Sequence, residues 1–113
     1  MSGRMSREKG KRGERELANA LKALGHDARR GQQYSGTETS ADVVGLPGIH
    51  IECKRVERLN LEDAMAQSRR DAREGEIPVV MHRKTRSPWL VTTTLEDWIK
   101  FYREWECGNE SAE

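Results

Sequence analysis

Two carboxylates and a lysine within residues 41–54 are the side chains of this sequence best placed to do chemistry. They are Asp42, Glu52 and Lys54. If residues 46–48 form a three-residue hairpin loop with Gly48 in the left-handed conformation, Asp42 lies opposite Glu52 on the neighbouring strand. A loop of two or four residues would instead place the two carboxylates on opposite faces of the sheet. The three-residue loop therefore predicts an adjacent carboxylate pair.

The alternation of side chains along this hairpin divides it into two faces. Lys54 shares a face with both carboxylates, whereas Cys53 falls on the apolar face and is predicted to be a small buried hydrophobe. The polar face carries Asp42, Val44, His50, Glu52 and Lys54, and the apolar face carries Val43, Ile49, Ile51 and Cys53.

The carboxylate pair predicts a site for a cation that prefers oxygen ligands. Two ionised carboxylates side by side repel each other, so burying them without a partner is costly. Mg²⁺ binds a few carboxylates together with waters and phosphate oxygens, which is the chemistry of phosphodiester hydrolysis. Lys54 can orient or help to deprotonate the attacking water and can stabilise charge on the phosphate. Mn²⁺ accepts similar ligands and should substitute for Mg²⁺.

The composition indicates one soluble domain. The chain has 113 residues, 35% of them charged, and a mean hydropathy of −0.90. No apolar run is long enough to span a membrane, and the basic N-terminus lacks the apolar core of a signal peptide. We therefore expect a cytoplasmic protein. Cys53 and Cys107 predict neither a disulfide framework nor a zinc site.

Positive charge is concentrated in the first half of the chain. Residues 1–58 carry 12 basic and 8 acidic side chains, whereas residues 59–113 carry 8 basic and 11 acidic ones. The basic N-terminal residues suit a phosphate backbone, although a solvated tail would have the same composition. We predict a basic flexible tail at 1–12, a single folded domain at 13–106 and a polar C-terminal tail at 107–113.

Hydrophobic spacing predicts the order helix, three strands, helix, two strands, helix. The first helix, at 13–24, has Leu17, Leu21 and Leu24 on one stripe and stops at Gly25. Glu14 continues that stripe, whereas Glu16 lies about 200° of rotation away and can face water. A carboxylate on the stripe indicates a functional role, and favourable placement in the first turn of the helix is the alternative.

The remaining elements follow from capping and turn signals. They are a strand at 27–34, a loop at 36–40, the hairpin, a helix at 61–74 capped by Asn60, strands at 77–81 and 89–93 around a loop at 82–88, and a final helix from Thr94.

With these residues in place, the chain resembles the PD-(D/E)XK nucleases, which share a restriction-endonuclease-like α/β core. Asp42 followed by Glu52-Cys53-Lys54 matches their pattern, although Ala41 stands where the name has Pro. Residues 9–17, Lys-Gly-Lys-Arg-Gly-Glu-Arg-Glu-Leu, look like the N-terminal signature of archaeal-type Holliday junction resolvases, which also occur in phages. The resemblance covers residues 9–93 and implies a mixed central sheet of about five strands flanked by helices. It also implies that the protein acts in a prokaryotic or phage-infected cell.

The resemblance also implies roles for individual residues. Glu14 becomes a metal-site residue that can act through water, and the main-chain carbonyl of Cys53 joins Asp42 and Glu52 as a metal ligand. Lys54 becomes the catalytic lysine. The DNA-binding residues predicted from charge and from the resemblance together are Lys9, Lys11, Arg12, Arg15, Arg29, Arg30, Ser35 and Gln67.

We therefore predict a Mg²⁺-dependent, structure-selective DNA endonuclease that resolves four-way junctions. A nicking, repair or restriction nuclease of the same superfamily would cut duplex DNA with the same metal chemistry. A DNA-binding protein of the same fold would bind without turnover, but a carboxylate cluster repels phosphate and argues against it. A hairpin with merely polar surface residues is the remaining alternative.

Paired symmetric nicks need two active sites, so we expect a homodimer. Aromatic residues are concentrated in the last quarter of the chain and suit a dimer interface. Packing of the final helix on the sheet of its own chain is the alternative. The residues concerned are Trp89, Trp98, Phe101, Tyr102 and Trp105.

Overall fold

The computed structural model describes residues 2–31 and 41–111, with side chains for 8–31 and 41–109. Three helices and five strands follow one another in the predicted order. They are α1 (Ser2–Ala23), β1 (Arg29–Arg30), β2 (Val43–Val44), β3 (Ile49–Arg55), α2 (Leu61–Asp71), β4 (Ile77–Arg83), β5 (Leu90–Thr92) and α3 (Leu95–Ser111). The predicted loop at 36–40 and part of the predicted strand at 27–34 lie outside the described residues.

Helix α1 is longer than its apolar stripe. It begins at Ser2, so the helix start predicted at residue 13 was wrong. The basic N-terminal residues have straight side chains that favour helix without any core contact, which is why periodicity missed them. The predicted stop is confirmed, because Gly25 has a φ of +97° and its N–H donates to Lys22. Leu24 is 76% exposed and does not belong to the buried stripe.

The hairpin has the predicted register. Val43 pairs with Ile51 on antiparallel strands β2 and β3, which sets Asp42 opposite Glu52. Gly48 has a φ of +87° in the loop, a conformation that glycine adopts without a steric penalty. The three-residue loop is therefore confirmed.

The five strands form one mixed sheet in the order β1-β2-β3-β4-β5. Strands β3 and β4 are parallel, and helix α2 makes the crossover between them, whereas the other neighbours are antiparallel. Helix α1 packs on one face, where its buried residues meet the apolar face of the hairpin. This core consists of Leu17, Ala18, Leu21, Ala28, Val43, Ile51, Cys53, Val79 and Met81.

Helix α2 packs against β3 and β4. Its N-cap is as predicted, since the Asn60 side chain accepts a hydrogen bond from the Asp63 N–H at 3.1 Å. Ala64 and Ser68 are buried, and the Ser68 hydroxyl donates to the Val79 carbonyl at 2.9 Å. The helix ends at Asp71 rather than at residue 74.

In the C-terminal part of the chain, strand β4 and helix α3 are longer than predicted. Strand β4 continues to Arg83, into the predicted loop, because parallel pairing with β3 extends through Arg55. Thr94 caps α3 as predicted, with the Asp97 N–H donating to its hydroxyl at 3.2 Å. The helix then runs to Ser111, into the polar segment at 107–113. Among the described residues, none of the helices has an apolar stretch of membrane-spanning length.

Candidate active site

The hairpin brings Asp42 and Glu52 together where β2 and β3 meet. The Asp42 Oδ2 accepts a hydrogen bond of 2.9 Å from the Cys53 N–H, which fixes that carboxylate against β3. Glu52 is 2% exposed, and its Oε2 lies 3.9 Å from the Lys54 Nζ. The predicted cluster of two carboxylates and one lysine is therefore present on one face of the hairpin.

Burial makes this carboxylate pair costly to ionise. Burial, reinforced by the negative charge of Asp42, raises the pKa of Glu52 to about 8. Burial also raises the pKa of Asp42, against the hydrogen bond from the Cys53 N–H and the positive charge of Lys54. One ammonium group does not balance a buried and a half-buried carboxylate, so the pair favours an additional cation.

Glu14 approaches this pair from α1. Its Oε1 accepts a hydrogen bond of 3.0 Å from the Arg30 Nε. Burial raises the pKa of Glu14, the hydrogen bond from Arg30 lowers it, and the charge of Asp42 raises it further. Glu14 is thus close enough to Asp42 to interact with it electrostatically, as the stripe argument predicts.

The predicted DNA-binding residues are not all in one place. Lys9 and Arg12 line a groove of about 340 Å³ beside α1, together with Arg55. Arg30 is engaged with Glu14, and the exposed Lys11 lies 4.0 Å from Glu8. Arg15 and Arg29 are exposed, Gln67 is half-buried on α2, and Ser35 lies outside the described residues.

An ion-pair cluster beside the groove was not predicted. Glu16 does not simply face water, because its Oε1 accepts from the Arg55 Nε at 3.2 Å and from Arg83 at 2.5 Å. These arginines occupy paired positions on β3 and β4. Sequence reasoning missed the cluster because parallel strand pairing brings Arg55 beside Arg83 and the packing of α1 brings Glu16 to both.

Two further side chains beside Glu52 were also missed. His50 is 1% exposed, and its Nε2 lies 3.9 Å from the Glu52 Oε1. His50, Glu52 and Asp71 each offer one ligand atom, and these atoms lie within 4.8 Å of one another. The alternation along β3 already placed His50 on this face, and helical spacing from Ala64 and Ser68 could have placed Asp71 on the buried stripe of α2.

The donor set fits a divalent metal ion. Asp42 and Glu52 supply carboxylate oxygens, and Glu14 lies within electrostatic reach. Burial and the charge of Asp42 raise the pKa of Glu52 to about 8, and a bound cation would favour the ionised form. Ligation by the Cys53 carbonyl remains a prediction.

A mixed five-stranded sheet with flanking helices, and an acidic pair beside a lysine on its central hairpin, define the PD-(D/E)XK class of nucleases. The family model "Phage putative PDDEXK endonuclease" matches residues 5–109, and the chain belongs to this family. Nucleases of this class use divalent metals.

A solved structure agrees with this assignment. Hjc, a Holliday junction resolvase from the archaeal hyperthermophile Archaeoglobus fulgidus, is similar with a TM-score of 0.55 and 26% sequence identity. The match covers 73% of this chain and 74% of that one. No curated protein matches the chain.

Proposed function

We propose that the protein is a Mg²⁺-dependent endonuclease that resolves four-way DNA junctions by paired symmetric nicks. The observation that carries the proposal is the pairing of half-buried Asp42 with buried Glu52, with Lys54 beside them. This arrangement supports phosphodiester hydrolysis, and the likeness to a junction resolvase supports the choice of substrate.

Each residue of the site has a distinct task. Asp42, Glu52 and the Cys53 carbonyl would hold the metal ion, and Glu14 would assist through water. A bound Mg²⁺ would supply Lewis-acid activation and neutralise charge on the scissile phosphate. The Lys54 ammonium, partly exposed beside Glu52, can orient the attacking water and stabilise charge on the phosphate. The products would carry 5′ phosphate and 3′ hydroxyl groups.

The basic groove beside α1 is the proposed path for the DNA backbone. Lys9, Arg12 and Arg55 line it together with Glu16 and Glu57, and both carboxylates hold Arg55 in place by ion pairs. Fixed cations at a groove attract phosphates without reading the bases. Selection by shape rather than by sequence is what junction resolution requires.

A homodimer would supply the second site. The aromatic side chains of α3 favour this assembly over packing on their own sheet, since Trp98 is 52% and Trp105 61% exposed. Leu95, Trp98, Tyr102 and Trp105 recur at alternating spacings of three and four residues, the pattern of a helix that pairs with another helix. Trp89 behaves differently, because it packs against the core of its own chain.

Cleavage of a synthetic four-way junction and its matching linear duplex tests the proposal. We expect paired nicks in the junction with Mg²⁺, none with EDTA and none with Asp42→Ala. Asp27→Ala removes an exposed carboxylate from the same half of the chain and should cut normally. Junction binding in Ca²⁺ should persist in Asp42→Ala, which separates lost chemistry from lost binding.

The other outcomes identify the competing functions. Equal cutting of duplex and junction would keep the metal chemistry but replace the resolvase by a duplex-cutting nuclease of the same family. Binding of the junction without cutting in any divalent metal would replace the enzyme by a DNA-binding protein.

A further inference from the structure

His50 and Glu52 present two buried polar atoms to each other without a hydrogen bond. Among the described residues, the His50 Nε2 and the Glu52 Oε1 have no hydrogen-bond partner, and they lie 3.9 Å apart. A buried acceptor or donor left unpaired is costly, so native structures seldom retain one without a reason. A cation between the two atoms would satisfy both.

Asp71 supplies a third ligand at the same place. It lies at the end of α2, and the ligand atoms of His50, Glu52 and Asp71 are within 4.8 Å of one another. The three residues come from a strand and from the helix that packs on it, so the site is built on rigid elements rather than on a loop.

A further carboxylate, that of Glu76, lies near the other ring nitrogen of His50. The His50 Nδ1 lies 3.9 Å from the Glu76 Oε1. Histidines that bind metal through one ring nitrogen commonly direct the other nitrogen toward a carboxylate, which orients the ring. Glu76 is placed to do this while the Nε2 faces Glu52.

We propose that His50, Glu52 and Asp71 form a second cation site, separate from the one that Asp42 contributes to. An imidazole ligand beside two carboxylates favours a transition metal such as Zn²⁺ over Mg²⁺, which prefers oxygen ligands alone. The inference needs only these residues and does not depend on the proposed cleavage.

Each carboxylate oxygen of Glu52 faces a different one of the two proposed sites. Its Oε2 faces Lys54 on the catalytic side, whereas its Oε1 faces His50. Glu52 therefore bridges the two sites, and Asp42 and His50 each mark one of them. Variants at Asp42 and His50 can distinguish the sites without altering Glu52.

Metal binding by the isolated protein, without DNA, tests the inference. The metal-free protein carrying Cys107→Ser, which removes the exposed thiol, would be titrated with Zn²⁺ by calorimetry and with Co²⁺ by visible absorption. We expect saturable binding of both ions, with Co²⁺ bands that report nitrogen ligation and that excess Mg²⁺ does not remove.

Four variants in that background locate the ion. His50→Gln and Asp71→Asn should each weaken Zn²⁺ binding by about tenfold or more, a loss at least as large as that for outer-shell residues. Asp42→Asn should retain the Co²⁺ spectrum, and the exposed His26→Gln should behave as the parent. Circular dichroism would verify folding, and Asp71 is only half-buried, so its variant serves if His50→Gln does not fold.

Two results would overturn the second site. Absence of saturable Zn²⁺ and Co²⁺ binding would mean that His50 and Glu52 are simply a buried pair. Binding that survives in both His50→Gln and Asp71→Asn but disappears in Asp42→Asn would place the ion at the catalytic carboxylates. Neither result would bear on Mg²⁺-dependent cleavage, which the junction assay measures separately.

Discussion

At the scale of single residues, Glu52 combines a functional position with an energetic cost. It is nearly inaccessible to solvent, and burial together with Asp42 raises its pKa to about 8. Carboxyl groups with shifted pKa values are typical of active sites, where side chains are arranged for chemistry rather than for stability. The metal-free fold must tolerate a carboxylate that prefers to be protonated.

Replacing Glu52 by Gln should therefore stabilise the metal-free protein at high pH. The pKa of Glu52 is 4.5 when unperturbed and about 8 when folded, so its contribution to stability is complete below pH 4.5 and is lost as the pH rises through 8. Glu52→Gln removes that dependence. Denaturant unfolding in EDTA should show a difference in unfolding free energy that grows with pH by on the order of 1 kcal/mol or more.

Glu52→Asp, which keeps the ionisable group, is the control for this measurement and should retain a decline between those pH values. A difference between wild type and Glu52→Gln that stays constant from pH 5 to pH 9 would contradict the burial argument.

Variants at Glu14 and at Glu16 should affect different properties, the first turnover and the second stability. Glu14 interacts with Arg30 and Asp42, whereas Glu16 pairs with Arg55 and Arg83. Glu14→Gln should slow junction cleavage at least tenfold at saturating DNA (about 1.4 kcal/mol in the barrier), because the role proposed for Glu14 is at the metal site. Glu16→Gln should instead lower the unfolding free energy by about 1 kcal/mol and leave turnover within a few-fold. Equal losses of turnover in the two variants would contradict this division.

At the scale of elements, helix α1 positions Glu14 and Glu16 against the sheet, and its close packing there depends on Gly13. Gly13 is buried, and a Cβ atom there would lie 2.7 Å from the Arg55 Cβ. The close approach brings Glu14 and Glu16 to the sheet at the same turn. Gly10, one turn earlier in the same helix, has open space around it.

Alanine substitutions at these two glycines should have opposite effects. Gly10→Ala should raise the unfolding free energy by about 0.5–1 kcal/mol, because Ala has the higher helix propensity. Gly13→Ala should lower it by about 1–3 kcal/mol, since the strand or helix must shift, and should also slow cleavage. Thermal and denaturant unfolding of both variants measure this directly. Stabilisation by Gly13→Ala would show that the helix does not need this close approach.

At the scale of the whole molecule, α3 is the element whose aromatic side chains are largely left exposed by the rest of the chain. Its aromatic side chains contact one another rather than the core, with the Trp98 and Tyr102 rings 5.7 Å apart and stacked. Tyr102 and Trp105 are also 5.7 Å apart. An exposed aromatic row of this kind is typical of a surface that binds another protein.

Disrupting that row should dissociate the proposed dimer. Trp98→Ala combined with Trp105→Ala should shift sedimentation toward the monomer and convert paired nicks into single, uncoupled nicks. Leu24→Ala removes another exposed apolar side chain, at the end of α1, and should leave assembly unchanged. A double variant that remains dimeric and still nicks in pairs would move the interface elsewhere.

Local patterns were sufficient for much of the fold. The alternation of residues 41–54 and the single glycine of the loop determine the hairpin register, because a slip by one residue would bury the wrong face. Capping residues such as Asn60 and Thr94 likewise predicted the starts of α2 and α3. Helix and strand ends were predicted less well, since they depend on neighbours that the pattern does not contain.

By itself, the sequence determined the order of elements, the pairing of Asp42 with Glu52 and the placement of Lys54 beside them, because these depend on short-range periodicity. Only the tertiary structure decided the rest of the site. The parallel pairing of β3 with β4 sets Arg55 beside Arg83, the packing of α1 brings Glu16 to both, and the crossover helix brings Asp71 to His50. Contacts between residues far apart in the chain depend on how the elements pack, and no local spacing encodes that.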